Sequence, residues 1–401
     1  MKILFVNEKC GYFGGVEQNV ADSAAGMRAR GHECYLAYGT TTGQEVERYQ
    51  DLFGGPSNCF ASSELGLASA DQGDTSFEAI LNRIGPEVIY FHKVERLPSC
   101  EHLLSQVRTV RMVHDHDLCC PRRHKYYAIS SKVCEHRADW RCWLDLAFVA
   151  RSGSSPIGVT LVSIGRVIKE MKRNHVLDRV LVGSHFMRKE LLQNGFPTEK
   201  VRILAPVVRL AAQSPKPVPK EPRILFVGQL IRGKGVDLLL RALQKVSVEF
   251  SAAIVGAGNA QVKLEDLCRR LGLASKVQFR GWVGHDELGK IYDSARIVVV
   301  PSRWPEPFGM VGIEAMNHGR AVVAFGVGGI PDWLKHEETG LLAPEQDVDA
   351  LALAVHRLLT DWELAASMGE KGYAHGRERY SFDRYLDGLE SHLRGEISPT
   401  S

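Results

Sequence analysis

The chain has 401 residues, 44% of them hydrophobic and 24% charged, with a formal net charge of +3. That is enough apolar side chain for two cores, and too little charge imbalance for the chain as a whole to be a nucleic-acid binder. No run reaches the ~20 apolar residues of a membrane-spanning helix, and the opening Met1–Val6 reads as a buried strand rather than a secretory leader. Action in the cytoplasm, or peripherally at the inner face of a membrane, is the expectation.

In chain order, the strand Lys2–Asn7, a helix Val16–Arg30 with Val16, Val20, Ala24 and Met27 on one face, and the strand Cys34–Tyr38 make a βαβ unit. Further strands are predicted at Val88–His92, Val107–Val113, Val180–Ser184 and Val201–Leu204, with a helix His185–Leu192 stopped by Asn194-Gly195. Ala211–Pro222 holds four prolines and reads as a linker. The βαβ rhythm then restarts: strands at Ile224–Val227, Ala252–Val255, Val277–Arg280, Ile297–Val300 and Ala321–Phe325 alternate with helices at Val236–Lys245, Ala260–Leu271, Asp286–Ser294 and Met310–His318. An amphipathic helix over Ser381–Leu393 exceeds what the second sheet needs. The expectation is α/β with two Rossmann-like doubly wound domains: 1–210 with a Cys-rich insert at about 115–175, and 223–380, with 381–401 packing back on the first. Their carboxyl-end crevices would face a central cleft.

Two segments carry chemistry. After the first strand of the second domain comes Gly228-Gln229-Leu230-Ile231-Arg232-Gly233-Lys234-Gly235, a glycine-rich loop with two cations that opens a helix. Free helix N–H groups and positive charge suit phosphate; a tight turn with solvated cations is the alternative. The stronger segment is Pro301–Met316, where Pro305 and Pro307 hold Glu306 in an extended loop, Gly309 opens a helix and Glu314 lies one turn inside it. Two carboxylates can each accept hydrogen bonds from a vicinal diol, one on a sugar and one on a ribose; a carboxylate complementing the helix dipole is the blander reading of Glu314.

Lys234-Gly235, the E-x7-E pair Glu306 and Glu314, Gly328-Gly329-Ile330-Pro331-Asp332 and the opening Gly14-Gly15-Val16-Glu17 together resemble the retaining GT-B glycosyltransferases of family GT4. The resemblance implies transfer of a sugar from a nucleoside diphosphate sugar, UDP- or GDP-linked, to a glycan or polyprenyl-linked acceptor, with retention of anomeric configuration and no metal or other cofactor. It implies that Arg232 and Lys234, with the backbone of Gly309, Met310 and Val311, take the diphosphate. Glu306 holds the transferred sugar, Glu314 the ribose, and Gly14 and Gly15 the phosphate from the first domain. His114 touches the sugar near its reacting face, Asp115 and His116 are acceptor contacts, and Trp282-Val283 lies by the base, with Gly228, Gly256 and Phe308 lining the same site. Many members of the family carry Arg where this chain has Gln229, so the diphosphate cations here are Arg232 and Lys234. A nucleotide-sugar epimerase or hydrolase on the same fold, and a nucleotide-sugar-binding protein without transfer, are the alternatives.

The insert is unusual. Cys119, Cys120, Cys134 and Cys142 lie among His124, His136, Tyr126, Tyr127, Trp140 and Trp143. Buried thiols, an adventitious disulfide and a metal site all remain open, since the spacings match no standard zinc module. Similar Cys-bearing inserts occur in the family's surface-polysaccharide-building subset, which favours acceptor recognition. Next, Ile157–Arg173 joins an apolar stretch to a basic tail, either a segment lying on an anionic membrane or a core helix with a solvated end.

Overall fold

A computed structural model describes residues 1–12, 14–65, 76–127, 132–151, 159–207 and 214–396. Residues 157–158 of the apolar-basic segment, 211–213 of the linker and 397–401 therefore lie outside the described residues. The chain divides into two compact units: Met1–Tyr127 with Cys134–Arg209 and Phe382–Ser401, and a second whose main stretch is Leu210–Ser381.

The strands of the first unit are β1 (Lys2–Cys10), β2 (Glu33–Thr41), β3 (Cys59–Ala61), β4 (Val88–Phe91), β5 (Arg108–Val113), β6 (Val149–Arg151), β7 (Val159–Leu161), β8 (Arg179–Val182) and β9 (Val201–Ile203). Seven of them form one sheet in the order β3-β2-β1-β4-β5-β8-β9, every pair parallel. β6 and β7 pair antiparallel by themselves within the insert. All four residues of β4 and of β8 are buried, as a parallel sheet covered on both faces requires. One core cluster gathers Leu4, Val6, Phe77, Leu81 and Phe91; another gathers Val180, Val182, Met187 and Leu191. β1 runs four residues beyond the apolar Ile3–Val6, because Asn7, Lys9 and Cys10 keep pairing with Tyr38, Thr40 and Thr41 of β2.

The last helix, Phe382–Arg394, belongs to the first unit and packs on the helix Gly15–Ala29. Its buried Tyr385 places its hydroxyl 2.8 Å from Ser23 Oγ and donates to Asn19 Oδ1. On the rim, Glu390 accepts from Arg394, Arg30 and the His32 ring.

The second unit has β10 (Arg223–Val227), β11 (Ser251–Val255), β12 (Val277–Gly281), β13 (Ile297–Val300), β14 (Ala321–Phe325) and β15 (Gly340–Ala343). They form a parallel sheet in the order β12-β11-β10-β13-β14-β15. The order reverses between β10 and β13, so the loops leaving their carboxyl ends flank a topological switch point, where open α/β sheets bind ligands. The described part of the proline-rich stretch, 214–222, forms no helix or strand and is strapped to this unit. Arg320 donates to the carbonyls of Pro217 and Lys216, Trp362 Nε1 donates to Val218, and Lys216 pairs with Asp293 at 2.9 Å.

The hydrogen bonds from Arg394, Arg30 and His32 lower Glu390 from 4.5 to about 2 against the opposing effect of burial. The folded state therefore gains from this carboxylate above pH 4.5, and the gain disappears as pH falls through about 2. Glu390→Gln is expected to flatten the acid limb of Tm against pH between those values, measured by circular dichroism, with little change in Tm's slope near neutrality.

Candidate functional site

In the second unit, the loop after β10 turns through a short 3-10 segment, Arg232–Lys234, into Gly235, which opens the helix Val236–Gln244. Gly235 has φ +69°, and a Cβ there would lie 1.8 Å from the carbonyl oxygen of Pro301. Only glycine lets the loop after β13 approach this closely. That approach is secured by backbone and side chain together. The Gly233 carbonyl accepts from the amides of Arg303 (2.8 Å) and Trp304 (3.1 Å). The buried Arg303 guanidinium holds Asp237 in a two-pronged pair at 2.9 and 2.7 Å and also donates to the Arg232 carbonyl.

Glu306 thereby comes within reach of Lys234, whose Nζ donates to Oε1 at 2.7 Å, while Ser302 Oγ donates to the same oxygen. Lys234 also lies over the Trp304 ring, 5.0 Å from its centroid. The side chain of Glu306 is 6% exposed and that of Lys234 23%. Gly329 N–H donates to the Glu306 carbonyl at 2.7 Å, and Gly328, at φ +60°, could not carry a Cβ, which would lie 2.3 Å from that same oxygen. Arg232 is exposed.

The helix Met310–Asn317 begins at Gly309, and no side chain caps it among the described residues. Helix-start amides of this kind favour anions. Trp333, fully buried, fixes the loop in front by donating from Nε1 to the Phe308 carbonyl at 2.6 Å. Its ring fills the space beside Gly312, where a Cβ would come within 1.9 Å of it. Glu314, further into the helix, accepts from the Tyr292 hydroxyl at 2.8 Å, and Tyr292 is stacked on His318. The loops after β10 and β11 are laced together, with Gly228 N–H donating to Val255 and Leu230 N–H to Ala257. Gly256 N–H donates to Gly281, directly before Trp282, which is 59% exposed, and the half-buried Val283.

The family described as glycosyl transferases group 1 matches residues 209–375. An uncharacterized glycosyltransferase of Methanocaldococcus jannaschii is 41% identical over 165 residues, 41% of this chain and 42% of that one. A GDP-mannose-dependent alpha-(1-6)-phosphatidylinositol monomannoside mannosyltransferase of Mycobacterium tuberculosis is 31% identical over 216 residues, 52% of this chain and 56% of that one. The chain thus spans about half the length of these curated relatives. Anabaena HepE, solved in complex with UDP and glucose, aligns with a TM-score of 0.71 at 19% identity, over 98% of this chain and 100% of that one. The fold, with parallel sheets of seven and six strands, is GT-B.

Within the matched residues, Gly228, Arg232, Lys234, Gly256, Glu306, Phe308, Gly309, Met310, Val311 and Glu314 all follow the carboxyl ends of β10, β11 and β13. Arg303, Asp237, Ser302, Tyr292 and Trp333 escaped the sequence reading. Of these only Asp237 carries a signal, an acid in the first turn after a glycine-rich loop.

The first unit brings a second polar group together at the carboxyl ends of β1, β4 and β5. His114, just after β5, lies with Nε2 3.0 Å from His92 Nδ1, one ring donating to the other, and the rings are stacked. Burial lowers both, His114 to about 4, so this is a neutral pair at physiological pH. Lys93 bridges Asp115 at 2.7 Å and Asp117 at 3.5 Å. Burial and the neighbouring Asp115 raise Asp117 to about 6; for Asp115, burial is outweighed by Lys93, which lowers it. Glu17 is also buried and raised by that burial. Gly14 precedes the helix that Gly15 begins. His116 departs from the expectation of an acceptor contact: it is fully buried with its ring edge-on to Phe186, which leaves it no surface to offer. Cys119, Cys120, Cys134 and Cys142 are buried free thiols, and burial pushes Cys119, Cys120 and Cys142 up. Among the described residues no group of three or more His, Cys, Asp or Glu is placed to hold a metal ion.

Two outcomes are expected. Gly312→Ala, which drives a methyl group into the Trp333 ring, should destabilise the protein by about 1–3 kcal/mol in urea unfolding. Nitrogen-15 NMR of labelled histidine should find His114 neutral throughout pH 5–8, protonating near 4.

Proposed function

We propose that the protein is a nucleotide-sugar-dependent glycosyltransferase that moves a sugar from a nucleoside diphosphate donor to a glycan or lipid-linked acceptor with retention of anomeric configuration. The observation that carries this reading is Glu306, held between Lys234 and Ser302 at the switch point of a group 1 domain. The phosphate chemistry belongs to Arg232, Lys234 and the amides of Gly309, Met310 and Val311. Stabilising the departing diphosphate is the main catalytic task, and these groups suit it without a divalent ion. The leaving phosphate then takes the acceptor's proton on the face it vacates. Glu306 receives the hydroxyls of the transferred sugar and Glu314 those of the ribose. The base lies along Trp282-Val283. In the first unit we assign Gly14, Gly15 and His114 to the donor and Asp115 to the acceptor. A neutral His114 fits that role, because an uncharged ring donates to a sugar hydroxyl without competing with the diphosphate for counter-charge.

UDP- and GDP-sugars are the donors to test first: HepE was solved with UDP, and the Mycobacterium tuberculosis relative is GDP-mannose-dependent. That relative's phosphatidylinositol monomannoside acceptor supports a lipid-linked acceptor here, with polysaccharide assembly at the membrane as the setting.

With the donor identified from a thermal-shift panel of UDP-, GDP-, ADP- and TDP-sugars, Glu306→Gln is expected to lower turnover on the order of a hundredfold with nucleotide affinity largely kept. Lys234→Ala should damage both, since it removes a phosphate cation and strips a buried carboxylate of its partner. Unchanged transfer by Glu306→Gln overturns the assignment. Sugar released without acceptor would make the protein a hydrolase, an epimerised donor an epimerase, and binding with no product a sugar-nucleotide binder.

A further inference from the structure

We infer that the first unit carries a lipid-anchoring groove, distinct from the sugar-transfer residues, that takes a hydrocarbon chain of an anionic membrane lipid. A cavity of about 640 Å³ opens beside the helix Ile164–Arg173, walled by Leu97, Leu104, Ile168, Val176 and Leu177. That is within the range of about 300–1,000 Å³ for small-molecule sites. Leu97, Leu104 and Leu177 form a buried apolar floor, while Val176 at the mouth is 67% exposed.

The rim is cationic. Lys169 and Lys172 line the groove and are exposed, and among the described residues neither has an ion-pair partner. Their helix holds one acid, Glu170, and that carboxylate is already engaged by Arg173 and by the Leu97 amide. An apolar slot with unneutralised ammonium groups at its edge matches an amphiphile with a negative headgroup. The apolar surface continues beyond the groove. Ile168 also packs against the small cluster of Cys142, Ala147 and Ile164, as does Phe148, whose ring lies 5.4 Å from that of Trp143, and Trp143 is 54% exposed. Tryptophan with an open face suits the headgroup layer.

Position separates this groove from the transfer chemistry. Thr109, which also lines it, is the second residue of β5, and Leu177 precedes β8, so it lies toward the amino ends of these parallel strands, opposite the end at which β5 leads to His114. It holds an anchor rather than the reacting group. The inference deepens the lipid-linked acceptor reading above, yet binding needs no turnover, so either can fail alone.

The test is liposome flotation of the full chain with phosphatidylcholine alone and with an equimolar mixture of phosphatidylcholine and phosphatidylglycerol. The wild type should float only with the anionic mixture, and Lys169→Glu with Lys172→Glu should lower association about tenfold or more. Gly165→Trp supplies the groove-specific arm. Gly165 lines the cavity, and an added Cβ there meets nothing within 4 Å, so a bulky side chain can be introduced beside the slot from a position with open space around it. This variant should keep the wild-type Tm and also lose association about tenfold. Equal flotation with neutral liposomes, no flotation at all, or a Gly165→Trp protein that floats like the wild type overturns the proposal, the last by leaving only an electrostatic surface.

Discussion

The pair between Lys234 and Glu306 is the contact on which the second unit's site depends. A carboxylate this deeply buried is costly unless its oxygens are matched by donors, and its partners come from a different loop and from the segment just before it. Matching demands that two loops from non-adjacent stretches of sequence be held to within a few tenths of an ångström. The Gly233 carbonyl, the Arg303–Asp237 pair and the glycine at 235 supply that precision. Trp333 supplies it from behind by fixing the Phe308 carbonyl. Arrangements of this sort place reacting groups through rigid backbone instead of flexible side chains, which lets a site hold its shape before a ligand arrives.

Much of this was legible in the sequence because its signals are local. Apolar runs such as Ile297–Val300 can only be buried strands, and the glycine, proline and carboxylate spacing of Pro301–Met316 is set within one loop and helix. The illegible part is what joins distant segments. Nothing near Arg303 says that its partner is Asp237, and nothing near Gly312 says that Trp333 will lie against it. The same holds for the first unit, where His114 stood out at a strand end but His92 and Lys93 meet it only through the pairing of β4 with β5. The helix Trp362–Arg379 escaped for another reason: Gly369, Gly372 and Gly376 in its interior argue against helix on propensity, and packing overrides them. His116 misled because adjacency in sequence to His114 and Asp115 does not mean a shared face.

The two units divide their electrostatics differently. The second gathers cations, two helix starts and carboxylates around a place suited to anions. The first keeps His92 and His114 uncharged through burial, beside the Lys93–Asp115–Asp117 triad. A neutral ring stacked beside an ion cluster leaves hydrogen-bonding capacity in place while adding no net positive field of its own.

Finally, the helix Phe382–Arg394 is threaded through the synthesis order of the chain. It covers the buried face of Gly15–Ala29 with Tyr385, Leu386 and Leu389, all close to fully buried. On the ribosome, that face is made first and its cover last, with the whole of the second unit translated in between. The main stretch of the second unit, Leu210–Ser381, is continuous and can condense as it emerges, whereas the first must wait with an apolar surface open until the helix Phe382–Arg394 leaves the exit tunnel. A chain stopped just before residue 382 would thus contain a complete second unit attached to an unfinished first one, and aggregation or chaperone capture during expression would trace to the amino-terminal half.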